Sequence, residues 1–256
     1  MPSGTQAKSM TNRPQVRGVL FDIDETLVDL RAAMGTTLQG VSAHELAHFT
    51  AADWEAYSHL FAADPQGHYD AYLAGNLGFA DQRVLRVQHA REQAGLAPLD
   101  SDAAKAWNQA YEEMLPLHFR AFDDVAPLLD ELDDKGIPYG AVSNNVHDYQ
   151  RAKLDAAGLQ RIRVLVGTDT VGAAKPDPAI FLEGVRLLGT DPGRTLYIGD
   201  NLRVDAVGAS AAGLQGIWLD RAGNPSPVRR EEDGPADGDF LTVRSLAEVA
   251  ALLAGN

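Results

Sequence analysis

The stretch that decides the fold lies near the N-terminus and reads Val19-Leu20-Phe21-Asp22-Ile23-Asp24-Glu25-Thr26. Its apolar start predicts a short buried strand, and that strand ends in two carboxylates two positions apart. Alternate side chains of an extended chain point to the same side, so Asp22 and Asp24 are expected to face one site. Two crowded carboxylates repel each other unless a cation lies between them. The stretch therefore predicts a site for a divalent metal ion with oxygen ligands, and an ordinary polar loop is the alternative.

The composition restricts the classes of protein to which the chain can belong. Its 256 residues, 45% of them hydrophobic, suffice for one large domain or for a domain with an insertion. The chain contains no cysteine, no apolar run near the roughly 20 residues of a membrane helix and no apolar signal sequence. The net charge of -14 argues against nucleic acid and anionic membranes as partners. We therefore expect a cytoplasmic protein, monomeric or homodimeric, that binds neither nucleic acid nor a membrane.

The hydrophobic periodicity divides the chain into three parts. Residues 1–12 are polar and are predicted to form a flexible tail. Residues 31–118 show helical periodicity with almost no strand signal, which predicts a helical cap inserted after the first strand. Residues 13–30 and 119–256 alternate strands with helices, which predicts a Rossmann-like α/β core whose parallel sheet carries helices on both faces. The Pro-, Gly- and charge-rich residues 221–239 are predicted to form a loop, and nothing in them indicates a role.

Polar clusters follow the predicted strands, and in such a core ligands bind beyond the carboxyl ends of the strands. Carboxylates without a nearby histidine favour Mg²⁺ over Zn²⁺. A lysine beside the backbone N–H groups of a helix start suits a phosphoryl group. Taken singly, the clusters also suit turns, helix caps or solvated surface. Together they predict phosphoryl transfer through an aspartyl-phosphate, and their members are Asp22 with Asp24, Ser143 with Asn144 and Asn145, Lys175, and Asp200 with Asp205.

These clusters resemble, in order and spacing, the four motifs of the haloacid dehalogenase superfamily, and the resemblance runs from Arg17 to the final strand. The helical block between the first two motifs is similar to the cap of the subgroup that includes phosphoglycolate phosphatase and β-phosphoglucomutase. The matching residues are Asp22-Ile23-Asp24-Glu25-Thr26, Ser143, Lys175, and Gly199-Asp200 with Asp205.

The resemblance implies a role for each residue of the first motif. Asp22 would be the nucleophile that attacks phosphorus, and also a metal ligand. Asp24 would protonate the leaving oxygen and then activate water, and its backbone carbonyl would ligate the metal. Thr26 would brace the loop beside the bound substrate. Superfamily members that cleave carbon–halogen bonds lack the second aspartate, so Asp24 disfavours dehalogenation.

The other motifs would hold the phosphoryl group and the metal. Ser143 and Lys175 would bind phosphoryl oxygens, and Asn144 and Asn145 are further candidates for substrate binding. Asp200 would ligate Mg²⁺ directly, and Asp205 would support the metal or the lysine. The function predicted in this way is a Mg²⁺-dependent phosphatase that hydrolyses a small phosphorylated metabolite. Contacts from the cap to that metabolite are expected from Arg83, Arg86, His59, Tyr72 and Trp54.

Three alternatives remain open at this stage. A phosphomutase would form the same aspartyl-phosphate and return the phosphoryl group to the substrate. A zinc peptidase is suggested by His44-Glu45-Leu46-Ala47-His48, which matches H-E-x-x-H within a stretch, residues 43–63, that is predicted to be helical. Its third ligand would have to come from Asp64, His68 or Asp70, so a chance match on a polar helix is preferred. A non-catalytic binding module is disfavoured by the intact pair of Asp22 and Asp24.

Overall fold

A parallel sheet forms the centre of the fold in the computed structural model, which describes residues 15–223 and 241–254. Its strands follow one another in space in the order third, second, first, fourth, fifth, sixth, and every neighbouring pair is parallel. The prediction of a Rossmann-like α/β core is confirmed. The strands are β1 (Gly18–Phe21), β2 (Tyr139–Val142), β3 (Val164–Val166), β4 (Thr195–Gly199), β5 (Gln215–Leu219) and β6 (Leu241–Val243).

The order of the strands reverses beside β1. The chain moves from β1 to β2 and β3 on one side, and then crosses to β4, β5 and β6 on the other side. Val19 lies opposite both Tyr139 of β2 and Leu196 of β4, so β1 is paired along both edges. The crevice between the carboxyl ends of β1 and β4 is the place where sheets of this topology bind ligands.

Helices cover both faces of the sheet because alternate side chains of each strand point to opposite faces. Val19 and Phe21 of β1 pack in one apolar cluster with α6 (Val125–Asp134), α7 (His147–Ala156) and α11 (Leu246–Ala254). Leu20 packs in the cluster on the other face. That cluster includes residues of α9 (Pro178–Leu188) and α10 (Gly208–Ala211), beside the short helix α8 (Thr168–Val171).

Five helices lie between β1 and α6. Their aromatic side chains pack together, and Trp107 stacks on Tyr111 with ring centroids 5.1 Å apart. The division of the chain at residues 31 and 118 into core and cap stays a prediction, and the expected tail of residues 1–12 lies outside the described residues. The helices are α1 (Leu30–Ser42), α2 (Ala51–Ala63), α3 (His68–Leu73), α4 (Phe79–Gln93) and α5 (Ser101–Met114), and a 3₁₀ turn follows at Leu115–His118.

One predicted helix is wrong at its start. The helix expected from residue 43 begins only at Ala51, and residues 43–48 form turns. The cause is a capping box, in which the Thr50 hydroxyl accepts from Asp53 N (3.3 Å) and Asp53 Oδ2 accepts from Thr50 N (2.8 Å). This box begins the helix at residue 51.

No helix among residues 15–223 and 241–254 has the length and apolar content needed to cross a membrane.

Candidate active site

Three carboxylates meet at the crevice between β1 and β4. Asp22 follows β1, and its backbone N–H donates to the Ile198 carbonyl of β4 (2.8 Å). Asp200 follows β4, and Asp205 lies in the π-helical turn Leu202–Val207. One oxygen from each of these carboxylates lies within 4.8 Å of the others. The sequence prediction that Asp22, Asp200 and Asp205 come together therefore agrees with their positions in the structure.

Lys175 is the buried cation of this cluster. Its Nζ lies 2.6 Å from Asp22 Oδ1 and 2.7 Å from Asp205 Oδ1, and it donates to the Tyr197 hydroxyl at 3.0 Å. The second Asp205 oxygen accepts from the backbone N–H of Asn201 (3.0 Å). Both oxygens of Asp205 are therefore engaged, and this carboxylate holds Lys175 in place.

The electrostatics of the cluster show an excess of negative charge. Burial raises the pKa of Asp22 to about 7, although Lys175 acts in the opposite direction. Burial, together with the charge of Asp22, raises the pKa of Asp200 to about 8. Burial opposes the charge on Lys175, but Asp205 and Asp22 outweigh it and raise the lysine pKa. One lysine therefore does not balance three closely spaced carboxylates, two of them buried.

This arrangement fits a divalent cation such as Mg²⁺. Hard cations prefer oxygen ligands, and the cluster offers carboxylate oxygens without histidine or cysteine. A cation there would also offset the burial and the mutual repulsion that together raise the pKa values of Asp22 and Asp200.

Asp24 occupies a separate electrostatic environment. Its Oδ1 lies 2.5 Å from Lys153 Nζ, and its Oδ2 accepts from Gln150 Nε2 (3.1 Å). The Lys153 ammonium also lies 5.3 Å from the centroid of the Tyr149 ring and 5.5 Å from that of Phe119. The side chain of Asp24 is 29% exposed, whereas that of Lys153 is 2% exposed. The two aspartates of the first motif are thus held by different lysines.

The second motif divides into residues with different contacts. Ser143 follows β2, and its hydroxyl accepts from Gln150 Nε2 (2.6 Å), so Gln150 links Ser143 to Asp24. Asn144 uses both ends of its amide on the backbone of Lys175, accepting from its N–H (2.6 Å) and donating to its carbonyl (2.9 Å). The Asn144 side chain therefore positions Lys175, and substrate binding by Asn144 stays a prediction. Asn145 lines the pocket described below.

The loop after Asp24 is held from both ends. Glu25 has a left-handed backbone (φ +62°), and its carboxylate accepts from the backbone N–H of Arg31 at the start of α1 (2.7 Å). Thr26 is buried and its carbonyl accepts from Arg221 Nη2 (2.9 Å). The Thr26 hydroxyl has no hydrogen-bond partner among the described residues. The bracing contact of Thr26 in the structure is therefore made by its backbone.

A pocket opens between Asp24 and the helices that follow β1. Two of the five predicted cap contacts, Arg83 and Arg86, line it. The other three do not: Trp54 packs on Phe49 and Tyr57, His59 is exposed, and Tyr72 packs on Tyr69 and Phe79. The lining residues are Asp24, Leu30, Met34, Phe61, Tyr69, Phe79, Gln82, Arg83, Arg86, Tyr111, Leu115, Asn145, Tyr149 and Lys153.

The histidine motif does not form a metal site. His44 and His48 are exposed in turns, so the helical face that would align them is missing. Glu45, which would act as the base, is instead bound by Arg91 through two contacts of 2.7 and 2.5 Å. Within residues 15–223 and 241–254, three acidic or histidine side chains come close enough to share a metal ion only at Asp22, Asp200 and Asp205.

Sequence reasoning missed Gln150 and Lys153. Both lie on the buried face of α7 next to Leu154. A signal was present in the composition of this helix, since His147–Ala156 contains few apolar residues and its buried face must therefore include polar side chains. Their partners were not predictable from that pattern.

The comparisons with known proteins agree with this geometry. The family model of haloacid dehalogenase-like hydrolases matches residues 16–213. The chain is 33% identical over 181 residues to a phosphoserine phosphatase of Thermus thermophilus, covering 69% of this chain and 66% of that protein, slightly less than two thirds of its length. It is 28% identical over 242 residues to a phosphoglycolate phosphatase of Mesorhizobium japonicum, covering 93% and 98% of the two chains.

Solved structures share the fold. The HAD-hydrolase YfnB from Bacillus subtilis, bound to magnesium, has a TM-score of 0.71 and 22% identity, with 94% of this chain and all of that chain covered. The L-2-haloacid dehalogenase RSc1362 has a TM-score of 0.70 and 22% identity over the same shares of the two chains. At this identity the likeness establishes the fold alone. Because the family model spans most of the chain, the chain belongs to the haloacid dehalogenase-like hydrolases.

Proposed function

We propose that this hydrolase is a Mg²⁺-dependent phosphatase that cleaves small phosphate monoesters through an aspartyl-phosphate on Asp22. The observation that carries the proposal is the separation of the two aspartates. Asp22 lies beside Lys175, Asp200 and Asp205, whereas Asp24 is bound by Lys153 and Gln150. The named activities of the phosphoserine and phosphoglycolate phosphatases support the same reaction class.

Asp22 is the nucleophile of the proposed reaction. One of its oxygens is held by Lys175 at 2.6 Å, which orients the carboxylate and favours its ionised form. An oxygen of Asp22 attacks phosphorus, and the bond between phosphorus and the ester oxygen breaks. Lys175, on the Asp22 side, and Ser143, through its hydroxyl, hold the phosphoryl oxygens during the transfer.

Asp24 moves the proton. It protonates the departing alkoxide oxygen, and then takes a proton from the water that attacks the phosphorus of the Asp22 acyl phosphate. That second attack breaks the bond between phosphorus and Asp22 and releases inorganic phosphate. The contacts of Asp24 to Lys153 and Gln150 fix the orientation of its carboxyl group for both transfers.

The residues that would hold Mg²⁺ are Asp22, Asp200 and the backbone carbonyl of Asp24, with Asp205 supporting Lys175 beside them. When bound, Mg²⁺ neutralises charge that develops on the phosphoryl oxygens. Asp24 also argues against cleavage of carbon–halogen bonds, the alternative reaction considered above. That cleavage releases a halide ion, which needs no proton. A residue fixed to deliver a proton therefore favours phosphate esters.

The test is a panel of small phosphate monoesters assayed for inorganic phosphate, with Mg²⁺ and with the metal chelated. Wild type should release phosphate only with the metal. Asp22→Asn should lose about 10³-fold or more in kcat, because an amide is not a competent nucleophile. Asp29→Asn is the matched control, since Asp29 caps α1 in the same loop and asparagine caps a helix equally well. Activity of Asp22→Asn equal to that of Asp29→Asn would contradict the assignment.

A further inference from the structure

Arg86 is a buried cation of the pocket and has no carboxylate partner among residues 15–223 and 241–254. It lies in α4 and is 7% exposed. Its Nε donates to the Phe61 carbonyl (2.9 Å) and its Nη1 to Gln82 Oε1 (3.2 Å), whereas Nη2 lies 4.0 Å from the weak acceptor Met34 Sδ. A guanidinium stays protonated under ordinary conditions. The protein therefore buries a full positive charge against neutral groups.

The other buried arginines of α4 are paired. Arg83 contacts Glu112 at 2.8 Å, and Arg91 contacts Glu45 through two atoms. Burial lowers the pKa of Arg86, and the charge of Asp64 opposes that effect only in part. A buried charge without a partner of opposite charge is strongly destabilising in proteins. Other elements therefore supply carboxylates to Arg83 and Arg91, whereas Arg86 has none among the described residues.

The pocket is shared by Arg86 and Asp24, the carboxylate that is proposed to move the proton. Asp24 and Lys153 line it from the core side, and Arg86 and Tyr111 line it from the inserted helices. Tyr69 also lines the pocket, and burial raises its pKa, so its hydroxyl stays protonated. The Tyr111 hydroxyl is buried and has no hydrogen-bond partner among the described residues. One unsatisfied donor, the Tyr111 hydroxyl, and a guanidinium whose Nη2 contacts only a thioether sulfur therefore line the same pocket as Asp24.

The charges around the pocket indicate which kind of group would pair with Arg86. Asp24 is balanced by Lys153 and Arg83 by Glu112, so the charge of Arg86 remains. We propose that Arg86 binds a second anionic group on the alcohol portion of the substrate, so that the substrates are phosphate monoesters that also carry a carboxylate or a second phosphate. This inference rests on the proposed phosphatase function. A guanidinium fork matches the oxygens of either anion, and the Tyr111 hydroxyl can donate to the same group.

The experiment compares esters that differ only in the second group. 2-Phosphoglycolate and ethyl phosphate differ by a carboxylate against a methyl group, and ethane-1,2-diyl bisphosphate and 2-hydroxyethyl phosphate differ by a second phosphate against a hydroxyl. Wild type should prefer the anionic member of at least one pair by about tenfold or more in kcat/KM. Arg86→Gln should remove most of that preference by raising KM for the anionic ester, and should change the neutral ester by less than about threefold. Arg86→Lys should keep part of it.

Controls separate binding from folding. Arg91→Gln alters a buried arginine of the same helix that contacts Glu45 outside the pocket, and it should keep the wild-type preference. If Arg86→Gln does not fold, the wild-type preference and Arg86→Lys decide the question. Equal hydrolysis of both members of each pair by wild type, or an unchanged preference in a folded Arg86→Gln, overturns the inference and leaves the phosphatase proposal standing. Hydrolysis of no phosphate ester by wild type overturns both.

Discussion

The two aspartates of the first motif lie two residues apart, and each is bound by its own buried lysine. Lys175 contacts Asp22 in a network that also holds Asp205 and adjoins Asp200. Lys153 contacts Asp24, whose other oxygen accepts from a neutral amide. The first lysine is outnumbered by carboxylates, whereas the second pairs with one carboxylate.

This difference in charge separates two kinds of chemistry. The excess negative charge around Asp22 suits a metal ion, and a nucleophile must remain ionised. The balanced and partly exposed Asp24 can exchange a proton with substrate and water, which a proton carrier requires. We therefore propose unequal roles for these two neighbouring positions, because they face different partners.

The largest effect is expected from removing Lys175. Lys175→Met leaves Asp22 and Asp205 buried without their cation, which should cost about 3–5 kcal/mol of unfolding free energy. Activity should fall by about 10²–10³-fold or more, because an oriented cation at the phosphoryl group is lost. Urea unfolding and kcat with saturating Mg²⁺ measure the two effects. A variant as stable as wild type would show that the network around Lys175 does not carry the stability assigned to it.

A smaller effect is expected from the same substitution at Lys153. Asp24 retains Gln150 and is 29% exposed, so water can replace the lost ammonium. Lys153→Met should cost about 1–2 kcal/mol and lower kcat about 10–100-fold through misorientation of Asp24. Lys135→Met, at an exposed pair with Glu131, is the control and should change stability by less than about 0.5 kcal/mol. Equal losses of unfolding free energy and of kcat for Lys153→Met and Lys175→Met would contradict the proposed difference between the surroundings of Asp24 and those of Asp22.

The burial of Asp22 and Asp200, together with the excess negative charge around them, also predicts how the stability of the metal-free protein depends on pH. The pKa values of Asp22 and Asp200 are about 7 and about 8 in the folded state, against an ordinary value of 3.8. Between these values the folded state binds more protons than the unfolded state, so stability falls as pH rises from about 4 to 8. Added Mg²⁺ should therefore raise Tm by more at pH 8 than at pH 5.5.

Asp200→Asn provides the matched variant for this measurement. It removes one of the two raised carboxyls, so it should flatten the fall of Tm with pH in the metal-free protein and weaken the Mg²⁺ effect. The expected changes are a few degrees for a chain of this size. A fall of Tm with pH that is as steep in Asp200→Asn as in wild type would contradict the origin assigned to it.

The half of the site around Asp22 could be predicted from the sequence, and the half around Lys153 could not. Asp22, Lys175 and Asp205 lie at loops and helix starts next to predicted strands, and the topology of a parallel sheet brings such positions together. Lys153 and Gln150 lie inside a helix, where the periodicity indicates a buried face without indicating its partner. Their contacts to Asp24 depend on how α7 packs, which no local pattern contains.

The fold also divides into parts that local sequence patterns predict and parts that they do not. The strands and most core helices were predictable from alternating apolar runs and glycine stops. The start of α2 was missed because apolar spacing from Leu46 onward continued the helical pattern through Thr50, although Thr50 and Asp53 formed a capping signal. The pocket contacts were predicted by residue type alone, which does not show the direction that a side chain faces after folding. Arg86 lines the pocket, whereas Trp54 and His59 do not.

The central claim is that Asp22 carries the phosphoryl group and Asp24 moves the proton. Intact-mass measurement after mixing with Mg²⁺ and acetyl phosphate tests it directly, because acetate departs without needing a proton from Asp24. Asp24→Asn should accumulate one phosphoryl group on the protein, since water is no longer activated to remove it, and Asp22→Asn should accumulate none. A phosphoryl group on Asp22→Asn, or an active Asp24→Asn that never carries one, would contradict the account.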